Sequence, residues 1–403
     1  MTEDPRPLDA VVRRRASPEP VERSFRPDVE GLRAISILLV VLDHAGMPGF
    51  GGGYVGVDVF FVISGFVISG LLLREVDRFG RPRFGHFYAR RAKRILPAAS
   101  LVTVLTVVAT YNLLGFIRGN YVADDARWVA VFLGNVHFAA VGTNYFQSQL
   151  PVSPLQNFWS LAVEEQFYVV YPAAILVVTL VWRRWDVRRK LMLFTGVVVV
   201  LSLTWSIHST AVDGASAYFS IWTRAWELAL GGLVASGAVL WSRVRPRISM
   251  FISWAGIAAI LFAATQFSSA TVYPGWLAAI PVGGAALVIL GGTTSRTMGA
   301  EMILGRRLPG LIGKLSYSIY LWHWPLLIIV AQNAGKPLTL GQGLACVGAS
   351  VVAAGITYRA LENPIRYSKW LAKSWTRSVA LGVLIIGAVV AFSSYEIHAH
   401  TLL

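Results

Sequence analysis

The chain has 403 residues, of which 55% are hydrophobic and only 14% are charged, and its mean hydropathy is +0.58. A soluble globular protein of this composition would not stay dispersed, so the composition indicates a protein that crosses the lipid bilayer several times. The formal net charge of +15 comes from 36 Lys and Arg against 21 Asp and Glu, and most of the cations form short clusters between apolar stretches. Such clusters are typical of cytoplasmic loops, so nucleic acid is not an expected partner.

Residues 1–25 are rich in charge and proline, and they lack the apolar core and cleavage site of a secretory signal peptide. They therefore predict a flexible cytoplasmic tail. The chain has a single cysteine, Cys346, which lies in an apolar stretch. One cysteine excludes an intrachain disulfide, so cysteine usage gives no information about the redox compartment.

Eleven apolar stretches of the sequence are candidates to span the hydrocarbon core of a bilayer, which takes about 20 residues. They lie near 31–48, 54–73, 95–116, 158–182, 191–209, 219–241, 250–267, 276–292, 315–333, 341–358 and 378–395. Basic clusters occupy 74–94, 183–190, 243–247, 296–307 and 359–377, and the positive-inside rule assigns all of them to the cytoplasm. We therefore expect eleven transmembrane helices, a cytoplasmic N-terminus and a C-terminus on the outer side.

A twelfth stretch, 126–142, is moderately apolar but is interrupted by Asn135 and His137. If it crossed the membrane, the basic clusters on either side of it would face opposite compartments, against the positive-inside rule. We therefore interpret 126–142 as a re-entrant or interfacial element on the outer side. Irregular backbone of that kind is tolerated at membrane depth where it is buried in protein.

Arg33 and His44 are ionisable residues within the first apolar stretch, where the cost of burial indicates a functional role. Their spacing of eleven residues returns to nearly the same helical face after about three turns and ~16 Å of rise. Histidine titrates near neutrality, which suits His44 to act as a general base. The alternative, a histidine that only packs, is disfavoured by the same-face Arg33 and the adjacent Asp43. We expect Asp58, near the start of the second span, to orient His44 or to pair with a cation.

Arg90, Arg91 and Arg94 form a basic cluster at the cytoplasmic entry of the third span. Residues i and i+4 of a helix share a face, so Arg90 and Arg94 lie on one face and Arg91 flanks it. Guanidinium groups bind phosphates through paired hydrogen bonds, which indicates a phosphate-binding role. The alternative is a topological anchor that follows the positive-inside rule.

Glu164 and Glu165 are adjacent carboxylates at the outer start of the fourth span, and we expect them to hold an arginine or to orient the base. No pattern of metal ligands accompanies them, so no metal site is predicted. Arg224 and Glu227 are spaced to pair within one helix. His323 lies deep in a later span, within a stripe of polar and aromatic side chains.

Seven blocks of this sequence, in order, resemble the membrane acyltransferase-3 family over residues 25–368. The blocks are RPDVEGLRAISILLVVLDH, GGGYVGVDVFFVISGF, FYARRAKRILPA, FWSLAVEEQFYVVYP, TRAWELALG, SYSIYLWHWPL and YRALENPIR. The resemblance implies a ten-helix domain of the bacterial inner membrane. It also implies an O-acyltransferase that moves an acyl group, usually acetyl, from cytoplasmic acyl-CoA to a hydroxyl of an extracytoplasmic glycan or glycolipid.

The family's motifs can be placed on this sequence. A basic residue followed by ten others and a histidine falls on Arg33 and His44, and an RxxR signature falls on Arg91 and Arg94. An SLxVEEQFY block falls on 160–168. The resemblance implies an acyl-CoA donor, and together with the residue chemistry above it leads us to the hypothesis that the RxxR arginines bind the phosphates of CoA and that the reaction is centred on the histidine.

The implied mechanism assigns a role to each candidate residue. The pantetheine arm enters the bundle, and His44 deprotonates the acceptor hydroxyl or takes part in an acyl relay. Arg90 helps the RxxR arginines to bind phosphate, and His323 lines the acceptor side with Trp322 or Trp324. The electrostatics of the site are shaped by Arg33, Asp58, Glu164 and Glu165.

The predicted architecture is an all-α polytopic membrane protein with three parts. A cytoplasmic tail at 1–25 precedes a ten-helix acyltransferase bundle at 26–368, and 369–403 form an eleventh transmembrane helix with a short outer tail. In many relatives of this branch an extra helix leads to an outer SGNH-type domain. The chain is therefore either a stand-alone enzyme or one that stops before such a domain.

Two other functions remain open at this point. The chain could transport an acyl group or a lipid, with His44 and the carboxylates as a proton relay, or it could acylate a small molecule. A catalytically silent scaffold is disfavoured by the density of ionisable residues within the spans. The sequence defines neither the acceptor nor the length of the acyl chain.

Overall fold

The computed structural model describes residues 26–143, 151–181, 186–295 and 298–401, so the predicted tail at 1–25 lies outside the described residues. Within the described ranges the chain is helical and contains no strand. The predicted all-α class is confirmed.

The helices follow one another along the chain with short connections. They are α1 (Pro27–His44), α2 (Gly56–Phe79), α3 (Phe84–Ala130), α4 (Gly134–Thr143), α5 (Phe158–Leu180), α6 (Val187–Val212), α7 (Gly214–Phe219), α8 (Ile221–Trp241), α9 (Pro246–Gln266), α10 (Ala279–Gly291), α11 (Glu301–Leu304), α12 (Arg307–Ala334), α13 (Leu340–Thr357), α14 (Asn363–Arg366), α15 (Lys369–Ala372) and α16 (Trp375–Thr401). Short 3-10 turns at Gly53–Val55 and Trp276–Ala278 precede α2 and α10, and a π-helical turn at Tyr358–Glu362 joins α13 to α14.

Seven helical stretches in the described part of the chain are long and apolar enough to cross a membrane. They are Gly53–Phe79, Phe84–Ala130, Phe158–Leu180, Val187–Val212, Pro246–Gln266, Leu340–Ala372 and Trp375–His400. Helices α1, α8 and α12 also coincide with predicted spans but are not among these seven, and the apolar helix Trp276–Gly291, which contains α10, is shorter than they are. The polytopic class is therefore established, while eleven spans and the orientation of the termini stay predictions.

The outer surface of the bundle is apolar where helices face away from the core. Val170 on α5 is 64% exposed, Leu201 on α6 is 66% exposed and Leu384 on α16 is 70% exposed. Water would oppose such exposure, whereas hydrocarbon tails accept it, so these faces fit a lipid environment.

The segment 126–142 does not form one continuous helix. Before this segment, α3 already breaks at Gly115, whose φ of 83° only glycine adopts without strain. Tyr111 donates a hydrogen bond to Asn120 across that break (2.7 Å). After α3 ends, α4 follows with ten residues. Such a helix is about 15 Å long, half of the ~30 Å hydrocarbon core, so α4 does not cross the bilayer by itself.

Glycines allow α2 and α8 to pack backbone against backbone. A Cβ atom added at Gly65 would collide with the main chain of Leu228, and one added at Gly231 would collide with the main chain of Val62 and Phe66. Small residues at the contact permit this close approach of membrane helices. The contact matters for the site because it fixes two helices that carry buried ionisable residues.

We predict that Gly65→Ala lowers the thermal stability of the purified protein, because the backbone of Leu228 leaves no room for a methyl group. The matched control is Gly196→Ala on α6, where no atom lies within 4 Å of the added Cβ. Overpacking costs about 1–3 kcal/mol, whereas an unhindered Gly→Ala change in a helix gains roughly 0.5–1 kcal/mol. The two apparent melting temperatures should move in opposite directions, and equal shifts would contradict this packing.

Candidate active site

His44 and His323 form a hydrogen-bonded pair at the centre of the candidate site. His44 is the last residue of α1 and His323 lies on α12. The Nδ1 atom of His44 is 3.0 Å from the Nε2 atom of His323, and the two rings are nearly parallel, with an interplanar angle of 7°. His323 is fully buried, whereas His44 is partly exposed. The structure thus brings together two histidines that are 279 positions apart in the chain.

Backbone carbonyls define which nitrogen atoms of the pair carry protons. The Nδ1 atom of His323 lies 2.8 Å from the carbonyl oxygen of Tyr320 and 3.2 Å from that of Ile319. A carbonyl only accepts hydrogen bonds, so this Nδ1 carries the proton and Nε2 of the neutral ring accepts. His44 must then donate from Nδ1, which leaves its own Nε2 with a free lone pair. That lone pair gives the ring the chemistry of a general base.

Aromatic rings enclose the imidazole pair. The indole of Trp324 packs against His44 at a centroid distance of 4.5 Å, and the Tyr320 ring lies 5.4 Å from that of His323. The Tyr320 hydroxyl donates to the carbonyl of Asn157 (2.9 Å) and lies 2.8 Å from the hydroxyl of Ser160. These bonds fix Tyr320 between α12 and the beginning of α5.

A cavity lies beside this pair, lined by residues of α1, α2, α3, α5 and α12, with an empty volume of about 810 Å³ that includes the open space at its mouth. It extends along α2 from Val57 to Ile68, which is about 16 Å of helix. Neither His44 nor His323 is a lining residue, so the cavity ends against Tyr320. The polar side chains of its wall include Arg33, Arg91, Arg94, Glu164, Ser316 and Tyr320. The Ser316 hydroxyl is buried in this wall without a hydrogen-bond partner.

Arg91 is fully engaged by protein groups. Its Nε donates to Glu165 at 3.0 Å, its Nη2 pairs with the same carboxylate, and its guanidinium lies 3.8 Å from the centre of the Tyr168 ring. Glu164 is 3.5 Å from Arg91 and accepts hydrogen bonds from Ser64 (2.9 Å) and Tyr168 (2.8 Å). The adjacent glutamates thus both face Arg91 and tie α5 to α2 and α3.

Arg94 differs from Arg91 because no carboxylate of the described residues lies within ion-pair distance of it. It lines the cavity and lies within electrostatic reach of the cations Arg33 and Arg366. Arg33 lies 3.9 Å from Glu30, at the limit of an ion pair. The described lining of the cavity holds Arg33, Arg91 and Arg94 against Glu164, and Glu165 also pairs with Arg91. Arg94 is therefore the arginine best placed to meet an anionic ligand.

Arg90 does not line the cavity. It is 45% exposed and pairs with Glu75 of α2 at 2.6 Å. Arg90 and Arg94 are spaced to share one face of α3, as predicted, but Arg90 is paired with Glu75 of α2 outside the cavity. Arg90 is therefore not placed to bind a phosphate in the cavity, whereas Arg94 is.

Asp58 is placed away from the imidazole pair. It binds Arg224 at 2.7 Å, and Arg224 also binds Glu227 at 3.0 Å, so the predicted pair within α8 is present as part of a larger cluster. All three side chains are at most 2% exposed, and the Tyr218 carbonyl accepts from Arg224 at 3.2 Å. The alternative in which Asp58 pairs with a cation is the one that the structure shows.

Sequence reasoning did not identify Ser64 as a partner of Glu164, Glu75 as a partner of Arg90, or Asn157 as a partner of Tyr320. Each of these contacts joins residues from two different helices or loops. Their only sequence signal is a polar residue within or beside an apolar stretch. That signal marks a candidate but does not name its partner.

The lipid-facing helices and the internal cationic cavity beside an imidazole pair define a polytopic membrane protein with a buried polar site. A family model described as an acyltransferase domain matches residues 26–359. The chain belongs to this acyltransferase family, the acyltransferase-3 family that the seven sequence blocks indicated.

Curated relatives carry names of the same chemistry. A Staphylococcus aureus protein named "Putative O-acetyltransferase" is 31% identical over 372 residues, which cover 88% of this chain and 59% of the relative. The peptidoglycan O-acetyltransferase OatA of Listeria monocytogenes is 30% identical over 85% of this chain and 56% of its own length. The O-acetyltransferase OatA of Staphylococcus aureus is 28% identical over 92% of this chain and 63% of its length. The chain thus spans about three fifths of these relatives, and no solved structure matches it.

We predict that Arg224→Met reduces the yield of folded protein, because it leaves Asp58 and Glu227 buried without their cation. Loss of one partner of a buried ion pair costs about 3–5 kcal/mol. The combination Asp58→Asn, Glu227→Gln and Arg224→Met should recover much of the loss, since it also removes the uncompensated charges. The measurement is the monodisperse fraction after detergent extraction. A triple variant as poor as Arg224→Met would contradict an electrostatic origin of the defect.

Proposed function

We propose that the protein transfers an acyl group, most simply acetyl, from cytoplasmic acyl-CoA to a hydroxyl of an extracytoplasmic glycan or glycolipid. Membership of the acyltransferase family and relatives named as O-acetyltransferases support the class of reaction. The proposal places the protein in the bacterial inner membrane with a cytoplasmic N-terminus. An outer SGNH-type domain beyond residue 403 also stays a prediction.

The observation that carries this proposal is the position of the cationic cavity relative to the imidazole pair. Arg94 and Arg33 offer positive charge to the phosphates of CoA. Arg94 has no carboxylate partner among the described residues. From these arginines the cavity runs towards Tyr320, whose ring contacts His323. A phosphate-anchored pantetheine arm in this cavity would point its thioester at the base. The side chain of Tyr320 must move aside for the two to meet.

The chemistry follows from the protonation pattern of the pair. The Nε2 atom of His44 removes the proton of the acceptor hydroxyl, and the oxygen attacks the thioester carbonyl carbon. The C–O bond forms, the C–S bond breaks, and the leaving thiolate takes the proton back from the imidazolium. His323 holds the His44 ring through the Nδ1 hydrogen bond while charge develops. An acyl relay on His44 would use the same free Nε2 as nucleophile.

Replacement of His44 by Ala should slow acetyl transfer by about 10²–10⁴-fold, the usual contribution of a general base. Transfer is measured with labelled acetyl-CoA and peptidoglycan fragments on protein in lipid nanodiscs. The matched control is His208→Ala on α6, because His208 is exposed and distant in sequence from the site. Wild-type rates in folded His44→Ala protein would refute the mechanism, and translocation of acetyl groups without chemical transfer would favour a transporter.

Arg94→Ala should raise the dissociation constant for CoA about tenfold, because a hydrogen bond to a charged group contributes about 1.5–3 kcal/mol. Arg90→Ala is the matched control, four residues away on the same helix but paired with Glu75 outside the cavity. Titration calorimetry with CoA and with pantetheine separates the phosphate contacts from the arm. Pantetheine affinity should be unchanged in both variants. Equal weakening of CoA binding by the two variants would contradict the assignment to Arg94.

A further inference from the structure

A second cavity lies at the end of the bundle that holds His44. It is formed by the second half of α3, by α4 and by the residues that precede α5, and its empty volume is about 760 Å³ including the open space at its mouth. The polar side chains that line it include Arg118, Tyr121, Asp125, His137, Ser153 and Gln156. None of them has a role in the mechanism described so far.

Asp125 organises the floor of this cavity. Its Oδ1 atom is 2.7 Å from Nε2 of His137, and its Oδ2 atom accepts from the hydroxyl of Ser153 at 2.5 Å. The carboxylate is 8% exposed, so both of its oxygens are directed to protein groups. A carboxylate accepts hydrogen bonds, which places the His137 proton on Nε2. The Nδ1 atom makes no hydrogen bond within the described ranges, so it is left for a ligand.

The ring of His137 is also held in place by stacking. The indole of Trp128 lies parallel to it at a centroid distance of 5.5 Å and an angle of 8°, and Phe138 lies 5.5 Å away on a tilted plane. The orientation of Nδ1 is therefore fixed from two sides. A preorganised polar atom of this kind is costly to build and is typical of a binding site.

Arg118 supports the wall of the cavity rather than offering free charge. Its Nε donates to the side chain of Gln332 (3.1 Å), and its Nη2 donates to the carbonyls of Pro151 (2.7 Å) and Val152 (2.8 Å). With Asp125 opposite, the cavity has no marked excess of positive charge. Its amide, phenol and imidazole groups suit an uncharged ligand that is rich in hydroxyl groups. The arginine-lined cavity described above has the opposite character.

The second cavity is connected to the imidazole pair through one side chain. Trp324 donates from Nε1 to the carbonyl of Ser153 (2.9 Å), and the same indole packs against His44 at 4.5 Å. Ser153 in turn bonds to Asp125. A ligand in this cavity would therefore lie across Trp324 from the base.

We propose that this second cavity binds the saccharide of the acceptor, and that Nδ1 of His137 makes a hydrogen bond with one of its hydroxyl groups. Asp125 holds the ring through Nε2, which leaves Nδ1 for the ligand. The inference rests on the proposed acyl transfer for its biological meaning, but saccharide binding can be measured without any reaction. The two proposals can therefore fail independently.

The experiment measures binding of an N-acetylglucosamine oligosaccharide to the full chain in nanodiscs by titration calorimetry. His137→Phe keeps a ring against Trp128 but removes both nitrogens. We expect it to weaken saccharide binding about tenfold, the scale of one lost hydrogen bond in a fixed site. CoA binding should stay at the wild-type value. Arg94→Ala is the reciprocal control, because it should weaken CoA binding and leave saccharide binding unchanged.

A second variant guards against misfolding of His137→Phe. The side-chain amide of Gln156 lines the cavity and makes no hydrogen bond with the described residues, so Gln156→Leu should fold normally and weaken saccharide binding several-fold. In the transfer assay, both variants should raise KM for the saccharide. The rate at which CoA thiol is released when no saccharide is present should change much less.

Three outcomes would overturn this inference, of which the first two concern saccharide binding alone. One is wild-type protein that binds no saccharide, and the other is wild-type affinity in both folded variants. Loss of CoA and saccharide binding together in folded His137→Phe would also contradict it, since that result indicates a purely structural role. If the protein binds saccharide but transfers no acetyl group, the proposed function is refuted. The proposal of a saccharide-binding site then still stands.

Discussion

The need to neutralise charge inside an apolar bundle is the constraint on which this structure depends. An ion stripped of water and left alone costs several kcal/mol, so buried charges are kept only where partners meet them. Arg224 satisfies this with Asp58 and Glu227, and Arg91 satisfies it with Glu165. These pairs join α2 to α8 and α3 to α5, so the neutralisation of charge also fixes the positions of the helices around the cavity.

Against this background Arg94 stands out. It shares a helix with Arg90 and Arg91, both of which have carboxylate partners. Three neighbouring arginines of one helix therefore have three different environments: a partly exposed pair, a buried pair and a cavity wall. Arg91 also lines the cavity, but Glu165 holds it, whereas Arg94 has no carboxylate partner among the described residues and can meet an anion from outside the protein. The distinction comes from the surrounding helices and not from the helix that carries the arginines.

Much of the fold could be predicted from the sequence, because apolar stretches of membrane length and basic clusters between them are visible without any tertiary information. Each predicted span coincides with a helix, whereas the stretch 126–142 is broken between Ala130 and Gly134, and Asn135 and His137, the predicted interruption, lie inside α4. For the site, the same cost of burial pointed to Arg33, His44 and His323. The partners were not predictable, since Asp58 meets Arg224 and His44 meets His323 only through contacts between distant helices. Asp125 gave no signal at all, because it lies in a polar stretch where an acidic residue is ordinary.

The rings of Tyr320, His323, His44 and Trp324 stand between the two cavities described here. A continuous water-filled passage at this place would let protons and small ions flow down their gradients and discharge the membrane. These four rings touch one another in sequence and are held by hydrogen bonds, so they hinder a file of water at this place. Such an arrangement would let the protein sit in an energised membrane without discharging it.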